Sequence, residues 1–190
     1  MGRSVDLSAP DAAIWETHNL NDHLALLQRQ VRRSLDDPET HRLALTVAQG
    51  QSDRVTAWGR SHRMTKKTSR SNDPCCDIAQ VWNFGVLNVA YVKDPDEYDL
   101  FCTVKHTLAA GVGDCDDSTI LQGALLKALG FSDVRARVIS VDGRRWAHVY
   151  TMVNDRKDGD GRLIALDPTV RNATPGWEFA EAKARRDFKL

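Results

Sequence analysis

The chain of 190 residues is 42% hydrophobic and 27% charged, which is typical of one globular domain with a proper core. Its 26 basic and 26 acidic residues cancel, so the overall charge favours neither nucleic acid nor an anionic membrane as a partner. No apolar run is long enough to cross a bilayer, no signal peptide opens the chain, and four cysteines do not make a disulfide scaffold. We therefore expect a soluble cytoplasmic protein with reduced thiols.

The first quarter of the chain is predicted to be an arm followed by two helices. Residues 1–20 lack a clear periodicity and indicate a loosely docked arm. Apolar residues then recur at helical spacing from Leu24 to Leu35. The sequence Asp36-Asp37-Pro38 ends this helix, and a second helix is predicted from Pro38 to about Ala48.

A basic stretch follows, and it has the weakest structural signal in the chain. Between Arg54 and Arg70 it holds six Arg or Lys residues and no acid. Such a run can bind nucleic acid, but the protein is neutral and Trp58 is the only aromatic residue within the run, so a solvated loop is favoured. We therefore predict a basic loop over residues 50–72 and do not expect a nucleic-acid partner.

The rest of the chain is predicted to form the main domain. Asp73-Pro74 begins a core helix with an apolar face that extends to Val89, and residues 91–111 are predicted to be an irregular connector. Another helix follows Cys115 and stops at Gly130. The apolar period then changes to two, which predicts strands over residues 134–141, 147–153 and 163–167, before a last helix from about 178 to 186. Helices followed by an antiparallel meander predict an α+β fold, divided into an arm (1–20), a helical segment (21–72) and a core (73–190).

The strongest chemical signal is the stretch "GVGDCDDSTILQGALLKALGF", residues 111–131, which places Cys115 at the beginning of a helix. Free backbone N–H groups and the helix dipole at that position favour a thiolate over a thiol. The same N–H groups can hold an oxyanion once a carbonyl is attacked. A nucleophilic cysteine further requires an imidazole within hydrogen-bond reach and a group that orients the imidazole.

Among the six histidines, His148 is the best candidate for the base. It lies in the middle predicted strand, whereas His106 lies in the connector only nine residues before the cysteine. The other four histidines lie in polar or poorly patterned surroundings and are interpreted as surface residues: His18, His23, His41 and His62. Asp167 ends the next strand, with Pro168 after it, so its carboxylate can lie beside the imidazole. Each residue alone has an ordinary structural interpretation, and their joint order along the chain favours catalysis.

At these residues the sequence resembles the transglutaminase-like superfamily, which is papain-related in fold. The resemblance is carried by "GDCDD" with "ALLKALGF", by "AHVYTMV" and by "LIALDPTV", and it is most similar to the small transglutaminase-like proteins of bacteriophage and prophage genomes. It covers roughly residues 74–170. It implies Cys115 as nucleophile, His148 as base and Asp167 as orienter, on a fold in which the cysteine helix packs against an antiparallel sheet.

Four further residues are candidates for supporting the site. Asp114, Asp116 and Asp117 belong to the cysteine motif, but negative charges raise the pKa of a nearby thiol, so capping and turn-forming roles fit them better. Trp82 could line the site, although its place on an apolar helix face favours core packing. We expect no cofactor and no metal, because adjacent cysteines and the absence of a C-x-x-C pair suit zinc poorly (Cys75, Cys76, Cys102, His106).

The sequence therefore predicts a cysteine-dependent acyl-transfer enzyme that acts on an amide through a thioester. Water as acceptor makes a peptidase or amidase, an amine makes a transglutaminase, and the sequence leaves both open. The resemblance favours hydrolysis of a peptide or protein, including cell-wall peptide, and it suggests phage structural proteins as partners and a virion as an alternative location. Two other functions compete with this hypothesis: a catalytically silent virion or assembly protein that binds through the same fold, and a nucleic-acid module using residues 54–70.

Overall fold

A computed structural model describes residues 12–15, 19–49, 74–95 and 98–190, and for residues 12–15 and 74–76 it describes the backbone alone. The predicted basic loop, residues 50–72, lies outside the described residues. Most of the predicted arm lies outside them as well. The division of the chain into arm, helical segment and core therefore stays a prediction.

Five helices lie in the described part of the chain: α1 (Leu20–Asp36), α2 (Pro38–Ala48), α3 (Pro74–Asn88), α4 (Val104–Ala110) and α5 (Cys115–Ala128). Local capping explains where several of them begin. The Asn19 side chain accepts the N–H of Asn21 at α1, and Asp37 accepts the N–H of Glu39 at α2, where Pro38 occupies the first turn. Four of the five helices predicted from the sequence are confirmed, as α1, α2, α3 and α5. None of the described helices is both long and apolar enough to cross a bilayer.

The described strands form three sheets. Two of the sheets have two strands each: β1 (Ala12–Trp15) pairs antiparallel with β3 (Asp99–Cys102), and β2 (Ala90–Tyr91) pairs parallel with β4 (Val112–Gly113). The main sheet is antiparallel and has the order β7-β6-β5-β8, with β5 at Val134–Ser140, β6 at His148–Asn154, β7 at Leu163–Leu166 and β8 at Ala184–Lys189. The three predicted strands of the meander are confirmed as β5, β6 and β7.

Helix α5 is the centre of the molecule. All of its residues from Asp116 to Leu126 are buried, because it packs against α1, α2, α3 and α4 and also against β5 and β6 of the main sheet. Leu27 and Val31 of α1 belong to the same apolar core as Leu125 of α5 and Val149 of β6. The predicted fold class, an α+β fold with the cysteine-bearing helix packed on an antiparallel sheet, is confirmed.

The opposite face of the main sheet carries a second, smaller apolar cluster. Ile139, Tyr150, Met152 and Ala165 are buried there, and Phe179 covers them from the segment after β7. This sheet is therefore covered on both faces. The consequence for the site is that the strand bearing His148 is held between two packed layers.

The predicted helix over residues 178–186 is wrong. Residues 178–183 are turns and irregular chain, and β8 begins at Ala184, antiparallel to β5, with Phe188 opposite Ala136 and Asp187 opposite Arg137. Phe188 packs against the main core, and Asp187 accepts a hydrogen bond of 2.6 Å from Arg137 Nε. The local run of Ala, Glu, Lys and Arg favours a helix, but the open edge of β5 and the partly buried ion pair outweigh this propensity.

The prediction of an irregular connector over residues 91–111 is also wrong. This segment contains β3, α4 and the end of β2, and Thr103 caps α4 by accepting the N–H of His106. Phe101 and Cys102 are buried, and the Gln30 amide of α1 donates to the carbonyl of Phe101 at 2.7 Å. Strands of four residues and a helix of seven are too short to produce a recognisable apolar period.

Candidate active site

Cys115 is the first residue of α5, and within the described residues its backbone N–H has no partner. The Asp114 carboxylate caps the helix by accepting the N–H groups of Asp116 at 2.9 Å and Asp117 at 3.4 Å. In the described part of the chain, the Cys115 N–H makes no hydrogen bond of its own. Gly113 is required before the cap, since a Cβ there would lie 2.8 Å from the Cβ of Asp117. The motif therefore presents one unpaired backbone donor beside the thiol.

The Cys115 thiol lies against the beginning of β6. The backbone N–H of Val149 hydrogen-bonds to its sulfur, and this contact lowers the pKa of the thiol. Burial and the carboxylates of Asp116 and Asp114 act in the opposite direction and raise the pKa of Cys115 well above its usual value. This direction is opposite to the one that the helix start alone predicts, because burial and two adjacent acids outweigh the helix dipole. A base is therefore needed to remove the thiol proton.

His148 and Asp167 form a hydrogen-bonded pair on the sheet. His148 Nε2 lies 2.6 Å from Asp167 Oδ2, and the Asp167 side chain is 2% exposed. The other oxygen of Asp167 accepts the Thr169 hydroxyl at 2.7 Å and the Thr169 N–H at 3.1 Å. These three contacts fix the Asp167 carboxylate. The other ring nitrogen of the histidine, His148 Nδ1, makes no hydrogen bond in the described part of the chain. The pair can orient an imidazole and stabilise its protonated form.

The strand register explains why His148 is accessible. Strand β7 ends at Leu166, opposite Thr151, so the first three residues of β6 extend beyond it. Asp167 follows directly after β7, and Pro168 prevents the strand from continuing. The His148 side chain remains 20% exposed while its carboxylate partner is buried. Asp167 thus lies at the end of β7, and His148 lies in the part of β6 that extends beyond β7.

The two halves of the candidate site open into one cavity of about 720 Å³. Cys115 and His148 both line it, and so do Asp114 and Asp116. The wall on the α1 side contributes His23, and the loop between β5 and β6 contributes Trp146, which is partly exposed. The structure thus places the predicted nucleophile and the predicted base on the wall of the same cavity.

Acidic residues gather around the beginning of α5, and burial perturbs two of them. Burial and repulsion from neighbouring carboxylates raise the pKa of Asp114 to about 8 and that of Asp117 to about 7. Asp117 Oδ1 accepts the N–H of Cys102 at 2.8 Å, which joins α5 to β3. Asp114 and Asp117 therefore have structural contacts, and Asp114 also lines the cavity.

His23, which the sequence predicted to be a surface residue, is mostly buried and lines the cavity. Its Nε2 lies 2.8 Å from Asp116 Oδ1, its Nδ1 lies 3.7 Å from Asp99 Oδ2, and its side chain is 21% exposed. Burial opposes its charge, but the hydrogen bond to Asp116 and the nearby carboxylate of Asp99 outweigh burial and raise the pKa of His23 to about 10. A signal was present, because His23 lies four residues before buried Leu27 on the inner face of α1.

The remaining sequence candidates whose side chains the structure describes lie away from the cavity. Trp82 is buried in the main core and does not line the cavity. His41 and His106 are exposed on α2 and α4. His18 and His62 lie outside the described residues.

One group of three side chains in the described part of the chain could hold a metal ion. Asp114, Cys115 and Asp116 each offer one ligand atom, and these atoms all lie within 4.8 Å of one another. The three donors come from consecutive residues at one helix start, and acidic groups of this kind are common without an ion. We assign no metal to them.

The fold and the site together define a class: an α+β protein with a cysteine at the start of its central helix and a histidine–aspartate pair on the adjoining antiparallel sheet. The chain is similar to a solved structure of Legionella pneumophila LapG, with 18% identity and a TM-score of 0.46, over 83% of this chain and 80% of that one. It is also similar to Legionella pneumophila LapG in an EGTA-treated form, with 19% identity and a TM-score of 0.42, over 75% and 70% of the two chains. No protein-family model and no curated protein matches the chain. At this identity and TM-score the similarity carries no argument about function, and it gives the predicted closeness to bacteriophage proteins no support.

Proposed function

We propose that the protein is a cysteine-dependent acyl-transfer enzyme that cleaves an amide bond in a peptide or protein. The observation that carries the proposal is the shared cavity. A helix-start cysteine and a histidine, already oriented by a buried carboxylate, both face it, and Val149, the neighbour of that histidine, holds the sulfur. Nucleophilic catalysis by cysteine uses a thiol, an imidazole that takes its proton and a carboxylate that orients the imidazole.

In the proposed reaction, Cys115 Sγ attacks the carbonyl carbon of the amide while its proton passes to His148 Nδ1. The protonated imidazole then gives this proton to the leaving nitrogen, the C–N bond breaks, and a thioester with Cys115 remains. Water, deprotonated by His148, attacks the thioester, releases a carboxylic acid and restores the thiol. Asp167 accepts a hydrogen bond from Nε2 throughout and stabilises the imidazolium in both halves of the cycle.

The free N–H of Cys115 supports the proposal at the oxyanion. When the carbonyl carbon becomes tetrahedral, its oxygen becomes negative and needs a fixed donor. Asp114 occupies the next two amides of the helix and leaves the N–H of Cys115 for this purpose. A general base is also required by the raised pKa of the thiol, since few molecules carry a thiolate before substrate binds.

The acyl acceptor divides the proposal into two activities. Water gives a peptidase or amidase, which we favour, and a primary amine gives a transglutaminase. The substrate class we propose is a peptide or protein, with cell-wall peptide among the candidates. The hypothesis of phage origin and of phage structural partners has no structural observation behind it.

The test is alkylation of the thiols with iodoacetamide at neutral pH, read by peptide mass spectrometry. We expect Cys115, which lines the cavity, to react faster than Cys102, which is buried in the core, and we expect His148→Ala to slow labelling of Cys115 at least about tenfold. The unaltered chain should also release new amino termini from casein, and Cys115→Ser should not. Dansylcadaverine, a primary amine, distinguishes the acceptors, since its incorporation into casein identifies transamidation.

Two results would overturn the proposal. One is equal labelling of Cys115 in the unaltered chain and in His148→Ala, which means that the histidine does not activate the thiol. The other is casein cleavage that persists in Cys115→Ser. The first result together with no cleavage favours the silent binding scaffold.

A further inference from the structure

The position of Cys115 raises an electrostatic problem. Its two neighbours in sequence, Asp114 and Asp116, are buried acids that line the same cavity. Each negative charge near a thiol makes the thiolate less favourable, and the effect grows in a buried site. In the proposed reaction, however, negative charge must develop on the sulfur as its proton leaves. Some neighbouring positive charge is needed to offset these carboxylates.

His23 occupies the position where such a charge acts. It reaches from α1 to the wall of the cavity, and its Nε2 lies 2.8 Å from Asp116 Oδ1. Its Nδ1 faces Asp99 at 3.7 Å, and its ring packs edge-on against Phe101, with the ring centroids 4.8 Å apart. Two carboxylates and an aromatic wall thus hold the imidazole on both nitrogens and one edge. An imidazole held between two carboxylates favours its protonated form.

We propose that His23 is a positioning residue of the candidate site, which acts through Asp116. Its imidazolium fixes the Asp116 carboxylate on the cavity wall and offsets its charge, and this makes the Cys115 thiolate easier to form. The inference rests on the proposed function, because only a nucleophilic role requires the thiolate. His23 touches neither the sulfur nor the reacting amide in this scheme, and the group it acts on is the acid next to Cys115.

The titratable groups around Cys115 come from every element packed against it. Asp114 and Asp116 flank it on α5, and His148 and Asp167 face it from the sheet. The α1 side of the cavity contributes His23, and the loop between β5 and β6 contributes Arg144 and Arg145. The remaining titratable groups that line the cavity come from β2, β3 and the segment that joins them: Tyr91, Lys93, Asp94 and Asp99. Among the carboxylates other than Asp116, Asp94 accepts the N–H of Leu100 and Asp114 caps α5. The imidazole of His23 contacts the remaining carboxylate, Asp116, directly, with Nε2 2.8 Å from Oδ1.

The experiment measures the rate of Cys115 alkylation by iodoacetamide as a function of pH in full-length variants. His23→Gln keeps a hydrogen-bond donor and removes the charge, whereas His23→Lys keeps the charge. His106→Gln is the matched control, because His106 is exposed on α4 and lies away from the cavity. We expect the pH midpoint of labelling to rise by about one unit in His23→Gln, and to stay within roughly half a unit in His23→Lys and in the control.

A second comparison separates this role from simple packing. In an Asp116→Asn background, His23→Gln should leave the midpoint where Asp116→Asn alone places it, because the charge that His23 offsets is gone. An unchanged midpoint in His23→Gln overturns the proposal. So does a raised midpoint in His23→Lys, and that variant decides the question if His23→Gln does not fold. Failure of the proposed function has a different signature: labelling that does not depend on His148, whatever His23 does.

Discussion

The cavity has a histidine–aspartate pair on each of two walls, and the pairs differ in the further group that contacts each of them. His148 and Asp167 are 2.6 Å apart on the main sheet, and His23 and Asp116 are 2.8 Å apart between α1 and α5. Asp167 is additionally held by Thr169, on the side away from the histidine. Asp116 has instead a second acid, Asp99, on the far side of its histidine.

This difference assigns different work to two similar pairs. One carboxylate facing an imidazole whose other nitrogen is free orients a group that can accept and return a proton. Two carboxylates facing both nitrogens hold the proton in place, so His23 acts as a fixed positive charge across neutral pH. The role of a histidine–aspartate pair therefore depends on the second ring nitrogen of the histidine and on the group that faces it. Proximity to a cysteine does not decide that role.

The same substitution in each pair gives the largest expected difference. Asp167→Asn should slow cleavage of casein by about 10²–10⁴-fold, because the imidazole loses its orienter and the charge that stabilises its protonated form. Asp116→Asn should not lower the labelling rate of Cys115 and should raise it at neutral pH, because a carboxylate that disfavours the thiolate is removed.

The measurement is the rate of casein cleavage together with the rate of iodoacetamide labelling. Thr169→Val is the matched control, since it removes one of the two Thr169 donors to Asp167 and keeps the carboxylate; we expect a loss of roughly tenfold or less. Equal losses of cleavage in Asp167→Asn and Asp116→Asn would contradict the assignment of different roles.

The contrast also shows what the sequence could and could not predict. The boundaries of α2 and α5 follow from local signals, an Asp cap with Pro38 after it and an Asp cap before Cys115. The juxtaposition of His148 and Asp167 follows from two strands that are neighbours in sequence, joined by a short hairpin. Features of this kind need only local chemistry and the preference for adjacent strands to pair.

The features that sequence reasoning missed depend on distant partners. His23 acquires its role from Asp116, which lies 93 residues further along the chain. Strand β8 forms because β5 has an open edge about fifty residues earlier, although its own residues favour a helix. The raised pKa of Cys115 comes first from burial, which the motif "GDCDD" does not encode, and then from Asp116 and Asp114, which belong to that motif. Tertiary contacts decide each of these cases against the local propensity.

A double-mutant cycle on each pair should separate them by stability. His23→Gln alone leaves Asp116 buried without its cation, and breaking a buried pair in this way costs about 3–5 kcal/mol of unfolding free energy. With Asp116→Asn added, the double variant should lose less than the sum, by about 2 kcal/mol. For His148→Gln with Asp167→Asn we expect a smaller coupling, about 1 kcal/mol, because Thr169 still satisfies Asp167 when the histidine is removed.

Urea unfolding of the seven proteins of the two cycles, which share the unaltered chain, measures both couplings. His41→Gln is the control, since this histidine is exposed on α2 and its loss should change the unfolding free energy by no more than about 0.5 kcal/mol. A larger coupling for His148 and Asp167 than for His23 and Asp116 would contradict the roles assigned to the two pairs. His148 would then be the histidine that serves chiefly to stabilise the fold.

The smallest expected effect concerns the pH dependence of folding stability, and it again contrasts the α5 wall with the rest of the chain. Asp114 and Asp117 have pKa values raised to about 8 and about 7, mainly by burial. A carboxyl with a raised pKa stabilises the fold most below its unfolded pKa of about 4 and loses this contribution as the pH rises towards the folded value. His23, raised to about 10, likewise contributes fully below about 6.5 and loses its contribution as the pH rises towards 10. The unfolding free energy should therefore fall between about pH 5 and pH 9.

Asp114→Asn tests this directly, because an Asn side chain still caps α5 and carries no charge. We expect the variant to show a shallower decline and to be more stable than the unaltered chain by about 1 kcal/mol near pH 8. Asp158→Asn is the control: this exposed carboxyl has a lowered pKa, so its contribution is present above about pH 4 and its removal should leave the slope between pH 5 and pH 9 unchanged. Urea unfolding at several pH values gives the slopes. If the unfolding free energy of the unaltered chain rises between pH 5 and pH 9, ionisation of the acids beside Cys115 does not destabilise the fold. The cavity wall would then need no counter-charge from His23.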